Sequence, residues 1–143
     1  MDVRFLRLRE GAVIPEVPHA GDAGTDLITL DAVRLEPGER ALVGTGLALE
    51  IPEGFAGLIL PRSGLASRHG VTCANAPGLI DAGYRGEIRV ALVNLDPREP
   101  YEVRSGDRVA QLLITPVPAL RFVEVDTLGE STRGVGGFGS SGR

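Results

Sequence analysis

Twenty glycines and ten prolines are spread through the 143 residues and interrupt the chain every few positions. A glycine in a helix interior costs about 1 kcal/mol relative to alanine and a proline about 3 kcal/mol, so long helices are excluded. Between the breaks lie short runs of Val, Leu and Ile. No segment sustains a 3.6-residue apolar period. This is the pattern of an all-β protein, with strands expected near 2–9, 24–30, 40–50, 54–60, 71–76, 86–95, 100–103, 107–116 and 119–125. Strands at such spacing suit a sandwich, a barrel or a jelly roll.

Composition narrows the function. The net charge of −4 argues against nonspecific nucleic-acid binding, which needs a broad basic surface. All 15 basic residues are arginine, which excludes a Gly-Lys-Ser/Thr phosphate loop. Any phosphate site must use arginine, backbone amides, hydroxyls or a metal. His19 and His69 lack metal-ligand spacing, and the single cysteine, Cys73, makes a zinc site improbable. Cys73 sits in an apolar strand and is expected to be a buried, inert thiol. No apolar run approaches the roughly 18 to 20 residues of a membrane span. The N-terminus, MDVRFLRLRE, has no signal-peptide core, so a cytoplasmic location is expected.

Five segments stand out. HAGDAGTDL at 19–27 places Asp26 at the start of a strand, either as a fixed acid or as part of a solvated turn. PRSGLASRHG at 61–70 is the one place for a helix, with Ser63 as N-cap and Gly70 closing it. NAPGLIDAGYRGE at 75–87 holds Asp81 between two strand-like runs, on a hairpin facing a pocket, with Leu79 and Ile80 expected to pack beneath the turn. Asp and Gly there also serve an ordinary turn. In RSGDRVAQL at 104–112, Gln111 lies among apolar residues and makes either an interface hydrogen bond or a ligand contact. GESTRGVGGFGSSGR at 129–143 has the composition of a disordered tail, yet carries Arg133 and Phe138.

In this order, AGDAGTDL, PRSGLA, NAPGLIDAGYRGE, RSGDRVAQL and RGVGGFGSSG resemble the five ordered motifs of the trimeric dUTP diphosphatases, in their bacterial form, from about residue 20 to the end. The resemblance implies a distorted jelly-roll-like β-barrel over 1–128 and a flexible C-terminal arm over 129–143 that closes over the active site. It implies a homotrimer whose sites are shared between subunits. It also implies Mg2+-dependent hydrolysis of dUTP to dUMP and pyrophosphate, which limits uracil incorporation into DNA and supplies dUMP for dTMP synthesis.

By that resemblance Asp81 is the catalytic base that deprotonates the attacking water. Tyr84 lies under the deoxyribose and excludes a 2′-hydroxyl. Asn75 and the backbone of Gly78, Leu79 and Ile80 read the uracil edge. Arg62, Ser63 and Gly64 bind the phosphate chain, Gln111 reaches the α-phosphate region, and Arg89 touches substrate. Asp26 holds the metal through water. Phe138 stacks on the base, Arg133 meets the γ-phosphate, and Gly139 with Ser140 completes the cradle. The competing readings are a dCTP deaminase-like enzyme of the same superfamily and a nucleotide-binding regulator without catalysis. The departures, Leu79 and the Cys73-Ala74 lead-in, remove no functional group.

Overall fold

The computed structural model describes residues 1–17 and 19–137. Ten strands and one helix follow in chain order: β1 Arg4–Arg7, β2 Thr25–Ile28, β3 Val33–Leu35, β4 Arg40–Glu50, β5 Phe55–Pro61, α1 Ser63–His69, β6 Val71–Cys73, β7 Gly78–Ile80, β8 Glu87–Asn94, β9 Tyr101–Val103 and β10 Arg108–Pro116. They form two four-stranded antiparallel sheets, β1-β4-β8-β6 and β2-β10-β5-β7, with a β3-β9 ribbon. The architecture is jelly-roll-like. Strand β8 shows how the sequence builds it: Ile88, Val90, Leu92 and Asn94 are buried, and the residues between them are not. The three aliphatic side chains join Leu27, Ile59 and Leu112 from the other sheet in one core. Each such burial stabilises the fold by about 1.5–3 kcal/mol.

Strand β4 carries a bulge that shapes the sheet beside the Asp81 segment. Five residues of β4, Gly44 to Ala48, lie against only three of β8, Glu87 to Arg89. Gly46 absorbs the extra length with φ +71, a conformation that disfavours other residues. The freed backbone groups find side chains. Asp31 Oδ2 accepts from Gly44 N at 2.6 Å, Glu87 Oε1 accepts from Gly46 N at 2.8 Å, and Thr45 Oγ1 donates to Ile88 O at 2.8 Å. Arg9 closes the cluster with a 2.9 Å bond to Asp31 Oδ1. The Gly44 amide, and then the Arg9 guanidinium, hold the Asp31 carboxyl below its ordinary range.

Asn94 is the buried polar residue on which three segments converge. Its Nδ2 donates to Leu35 O at 3.0 Å and Glu99 O at 2.9 Å, and its Oδ1 accepts from Asp96 N at 2.9 Å. Asn94→Leu fills similar space but leaves two carbonyls and one amide unpaired. The expected loss is about 2–4 kcal/mol, read as a lowered denaturant midpoint at fixed protein concentration. An unchanged midpoint would refute this bracing role.

Three local expectations are corrected. Residues 119–125 form no strand, despite their alternating pattern; Phe122 is 94% exposed, and no strand of the chain pairs with the run. An extended segment becomes a strand only where a neighbour supplies its hydrogen bonds. The N-cap is Arg62, extended at φ −84 and ψ 127, and Ser63 is already helical, so no side chain caps the helix. Gly70 does close it, in the left-handed conformation. Strands β3 and β7 were not expected, because three-residue strands carry too little periodicity to read, and Pro77-Gly78 signals a turn.

Candidate active site

The segment around Asp81 is a hairpin only at its flanks. β6 and β8 pair from Val71↔Asn94 to Cys73↔Leu92. The chain between them crosses to the other sheet, where β7 pairs with β5 through Gly78↔Ile59, Leu79↔Leu58 and Ile80↔Gly57. Asp81 follows β7 directly, and Tyr84 N donates to Asp81 O at 3.0 Å to close a turn. The excursion leaves a cavity of about 390 Å³ between the sheets. Asn75, Gly78, Leu79 and Ile80 line it, together with Asp81, Tyr84 and Arg89. Among the described residues, those assigned from sequence to the base, the sugar and the attacking water thus lie at one cavity.

Local packing explains the shape. A Cβ at Gly78 would stand 3.2 Å from Ile59 Cβ and 3.3 Å from Asn75 Nδ2, so glycine lets β7 sit close to both. β7 is the last strand of its sheet, and its outer edge has no strand partner. That edge offers backbone donors and acceptors to a planar ligand. Leu79 is 65% exposed, against the expectation that it packs beneath the turn; Ile80 alone does so. Alternation along β7 sends one side chain inward and its neighbour to the cavity rim. Tyr84 donates from its hydroxyl to Glu87 O at 3.0 Å, which fixes its ring. Arg89 reaches Leu42 O at 3.5 Å.

The second group of expected residues starts at the opposite edge of the same sheet, with Asp26 on β2, and continues through Gln111 on β10 to Arg62, Ser63 and Gly64 after β5. Asp26 on β2 faces Gln111 on β10, and Gln111 faces Leu60 on β5. Three strand spacings separate β2 from β7, or about 14 Å at ~4.8 Å each. Asp26 Oδ1 stands 3.1 Å from Arg62 Nε, and Oδ2 stands 3.5 Å from Arg108 Nε. Arg62 also donates to Arg108 O at 3.0 Å. Two guanidiniums thus share one carboxylate, leaving excess positive charge beside the start of α1. Ser63 and Gly64 are exposed there, and a Cβ on Gly64 would meet nothing within 4 Å. Nothing in the chain itself requires glycine at 64, whereas close approach of a ligand would. Gln111 is half-buried, and its side-chain amide has no hydrogen-bond partner among the described residues.

For a metal the donor set is sparse. No group of three His, Cys, Asp or Glu residues is placed to hold one among the described residues. Asp26 Oδ1 is buried without a hydrogen bond, which fits a single water-mediated contact to a cation carried in by phosphates. Cys73 is buried and its thiol is pushed up by burial, as expected of an inert core residue. No described helix is long and apolar enough to cross a membrane. Arg133 is exposed and donates to Gly136 O at 2.8 Å within its own turn. Phe138, Gly139 and Ser140 lie outside the described residues. Sequence reasoning missed Leu42, Ile59 and Glu87 at the cavity and Arg108 beside Asp26. Arg108 lay within the RSGDRVAQL motif and was legible there; Leu42 and Ile59 arrive only through strand pairing.

The protein-family profile described as dUTPase matches residues 10–142. The deoxyuridine 5′-triphosphate nucleotidohydrolase of Thermobifida fusca is 56% identical over 140 residues, covering 98% of this chain and 78% of that protein. The protein of the same name from Nocardia farcinica is 57% identical, covering 98% and 85%. Among solved structures, a Staphylococcus bacteriophage 80alpha dUTPase mutant with dUpNHpp superposes with a TM-score of 0.90, at 31% identity over 99% of both chains. A phage phi11 dUTPase mutant, described with a structural Mg(II) ion, superposes with a TM-score of 0.82, at 30% identity over 91% of this chain and all of that one.

Proposed function

Because this chain belongs to the dUTPase family, we propose that the cavity beside Asp81 receives deoxyuridine and that the Asp26–Arg62 edge receives the phosphates. The protein is a hydrolase that converts dUTP and water to dUMP and pyrophosphate. The observation that carries the residue assignment is the gathering of Asn75, Asp81, Tyr84 and the free edge of β7 around one cavity.

The uracil edge pairs with the outer backbone of Gly78 to Ile80 and with the Asn75 amide. A 4-amino group would present a donor where the site supplies one, which disfavours cytosine. The Tyr84 ring, tied by its hydroxyl to Glu87 O, lies against the sugar and leaves no space for a 2′-hydroxyl. Asp81 takes a proton from water as that water attacks the α-phosphorus in line, and pyrophosphate departs opposite.

Arg62, Ser63, Gly64 and Gln111 bind the phosphates, and Asp26 orients Arg62 while its buried Oδ1, which accepts no hydrogen bond among the described residues, keeps a lone pair for a water. Magnesium, bound chiefly by the triphosphate, would neutralise charge on the phosphate oxygens. The cavity lining includes none of Asp26, Arg62 and Gln111, which supports a site completed between copies of the chain, in keeping with a homotrimer. The arm of residues 129–143 then closes the site, with Arg133 on the γ-phosphate, Phe138 on the base, and Gly139 and Ser140 around the phosphates.

The test is incubation with dUTP and Mg2+. Pyrophosphate and dUMP in equal amounts are expected, with no ammonia from dCTP. Ammonia release would establish a deaminase instead, and dUTP binding without turnover a regulator.

A further inference from the structure

The turn that carries Asp81 and Tyr84 has almost no packing of its own. Ala82 and Gly83 form its tip, and a Cβ at Gly83 would meet nothing within 4 Å. Beyond the Tyr84 N–Asp81 O bond and the Tyr84 hydroxyl's bond to Glu87 O, what holds it is Arg85. Its Nη1 donates to Ala82 O at 2.6 Å and to Tyr84 O at 2.9 Å. Its Nη2 faces Glu50 Oε1 at 3.6 Å, and that oxygen accepts from Arg4 Nη2 at 2.9 Å. Glu50 ends β4 and pairs with Arg4 of β1. The guanidinium therefore ties the turn to the opposite sheet from that of β7. This brace borders a separate cavity of about 600 Å³, lined by Arg4, Glu50 and Arg85 but not by Asp81 or Tyr84.

We propose that Arg85, anchored by Glu50, is a positioning residue that sets the Asp81 carboxylate and the Tyr84 ring relative to each other. It touches neither the ligand cavity nor the reacting atoms. Two donor bonds from one charged group to carbonyls on either side of Gly83 restrict the backbone between the base and the sugar gate. A loosened turn costs rate, since small misplacements of catalytic groups are expensive. It also costs selectivity, because Tyr84 excludes a ribose only while its ring is held. This inference rests on the proposed roles of Asp81 and Tyr84.

The experiment compares dUTP and UTP hydrolysis by the full chain with Arg85→Gln, Arg85→Lys and Glu50→Gln, alongside thermal melting. Arg85→Gln is expected to lower kcat/KM for dUTP about 10- to 100-fold, mainly through kcat, and to raise the UTP-to-dUTP ratio, with melting unchanged. Arg85→Lys restores part of both, because an ammonium reaches the two carbonyls without Glu50. Glu50→Gln gives a smaller change in the same direction. Wild-type rate and selectivity in Arg85→Gln overturn the proposal. So does a lowered melting temperature with unchanged selectivity, which marks a purely structural role. If the unaltered protein does not hydrolyse dUTP, the functional reading falls and this inference falls with it.

Discussion

Asp81→Asn abolishes turnover of dUTP and leaves nucleotide binding intact. The amide has the carboxylate's shape and retains an acceptor, but it does not take a proton from water. General-base catalysis supplies about 10²–10⁴ in rate, so kcat is expected to fall by about 100- to 10,000-fold. The structure makes this substitution a clean one. Asp81 is exposed, and its side chain enters no hydrogen bond or ion pair among the described residues, so the fold does not depend on its charge. Pyrophosphate release gives the rate, and calorimetry with a nonhydrolysable dUTP analogue gives the affinity. An equal loss of affinity and rate would contradict the role as base and mark Asp81 as a binding residue.

Deleting residues 133–143 is expected to lower the rate by about 100-fold or more and to leave the protein folded and in the proposed trimer. Stacking of one aromatic ring on a base is worth about 1–3 kcal/mol, and a hydrogen bond to a charged group about 1.5–3 kcal/mol. Removing Phe138 and Arg133 together therefore forfeits two to four orders of magnitude, if both act in the transition state. Among the described residues, the core does not draw on this segment. The last strand ends at Pro116, and the core cluster contains no residue beyond β10. Arg133 and Gly136 bond only to each other or to near neighbours. Sedimentation is expected to report a mass near three chains of about 13.9 kDa each, from the 15.0 kDa full-length chain. Full activity after truncation would refute the closing arm, and a dispersed mass would show that these residues serve assembly instead.

These two predictions draw on different amounts of sequence information. Asp81, Asn75 and Tyr84 lie within thirteen consecutive residues, so their association was legible from local spacing. Asp26 and Gln111 are 85 positions apart, and only the β2–β10 register sets them opposite each other. The hairpin was legible as two paired runs, because β8 alternates over eight residues and β6 lies in a short strand-like lead-in. Its crossing into the other sheet was not, because three residues, Gly78 to Ile80, carry no period. The same shortness hid the exposure of Leu79. Ser63 matched the cap preference but lost the position to Arg62, since side-chain preference yields to where the preceding strand ends.

The sequence by itself determined the class of fold, through glycines and prolines that leave room only for short strands. It also determined the chemistry on offer: arginine without lysine, one carboxylate in an apolar turn, and five ordered motifs. Only the tertiary structure decided where those groups stand. It placed the base-reading residues along β7 at one edge of a sheet and Asp26 about 14 Å away on β2 at the other, with Gln111 on β10 and Arg62 at the end of β5 between them. It also bound the Asp81 turn to Glu50 through Arg85, a link of 35 positions that no local pattern encodes. The reason is physical: composition and periodicity are properties of neighbours along the chain, whereas register and strand order are set by hydrogen bonds and packing between distant segments.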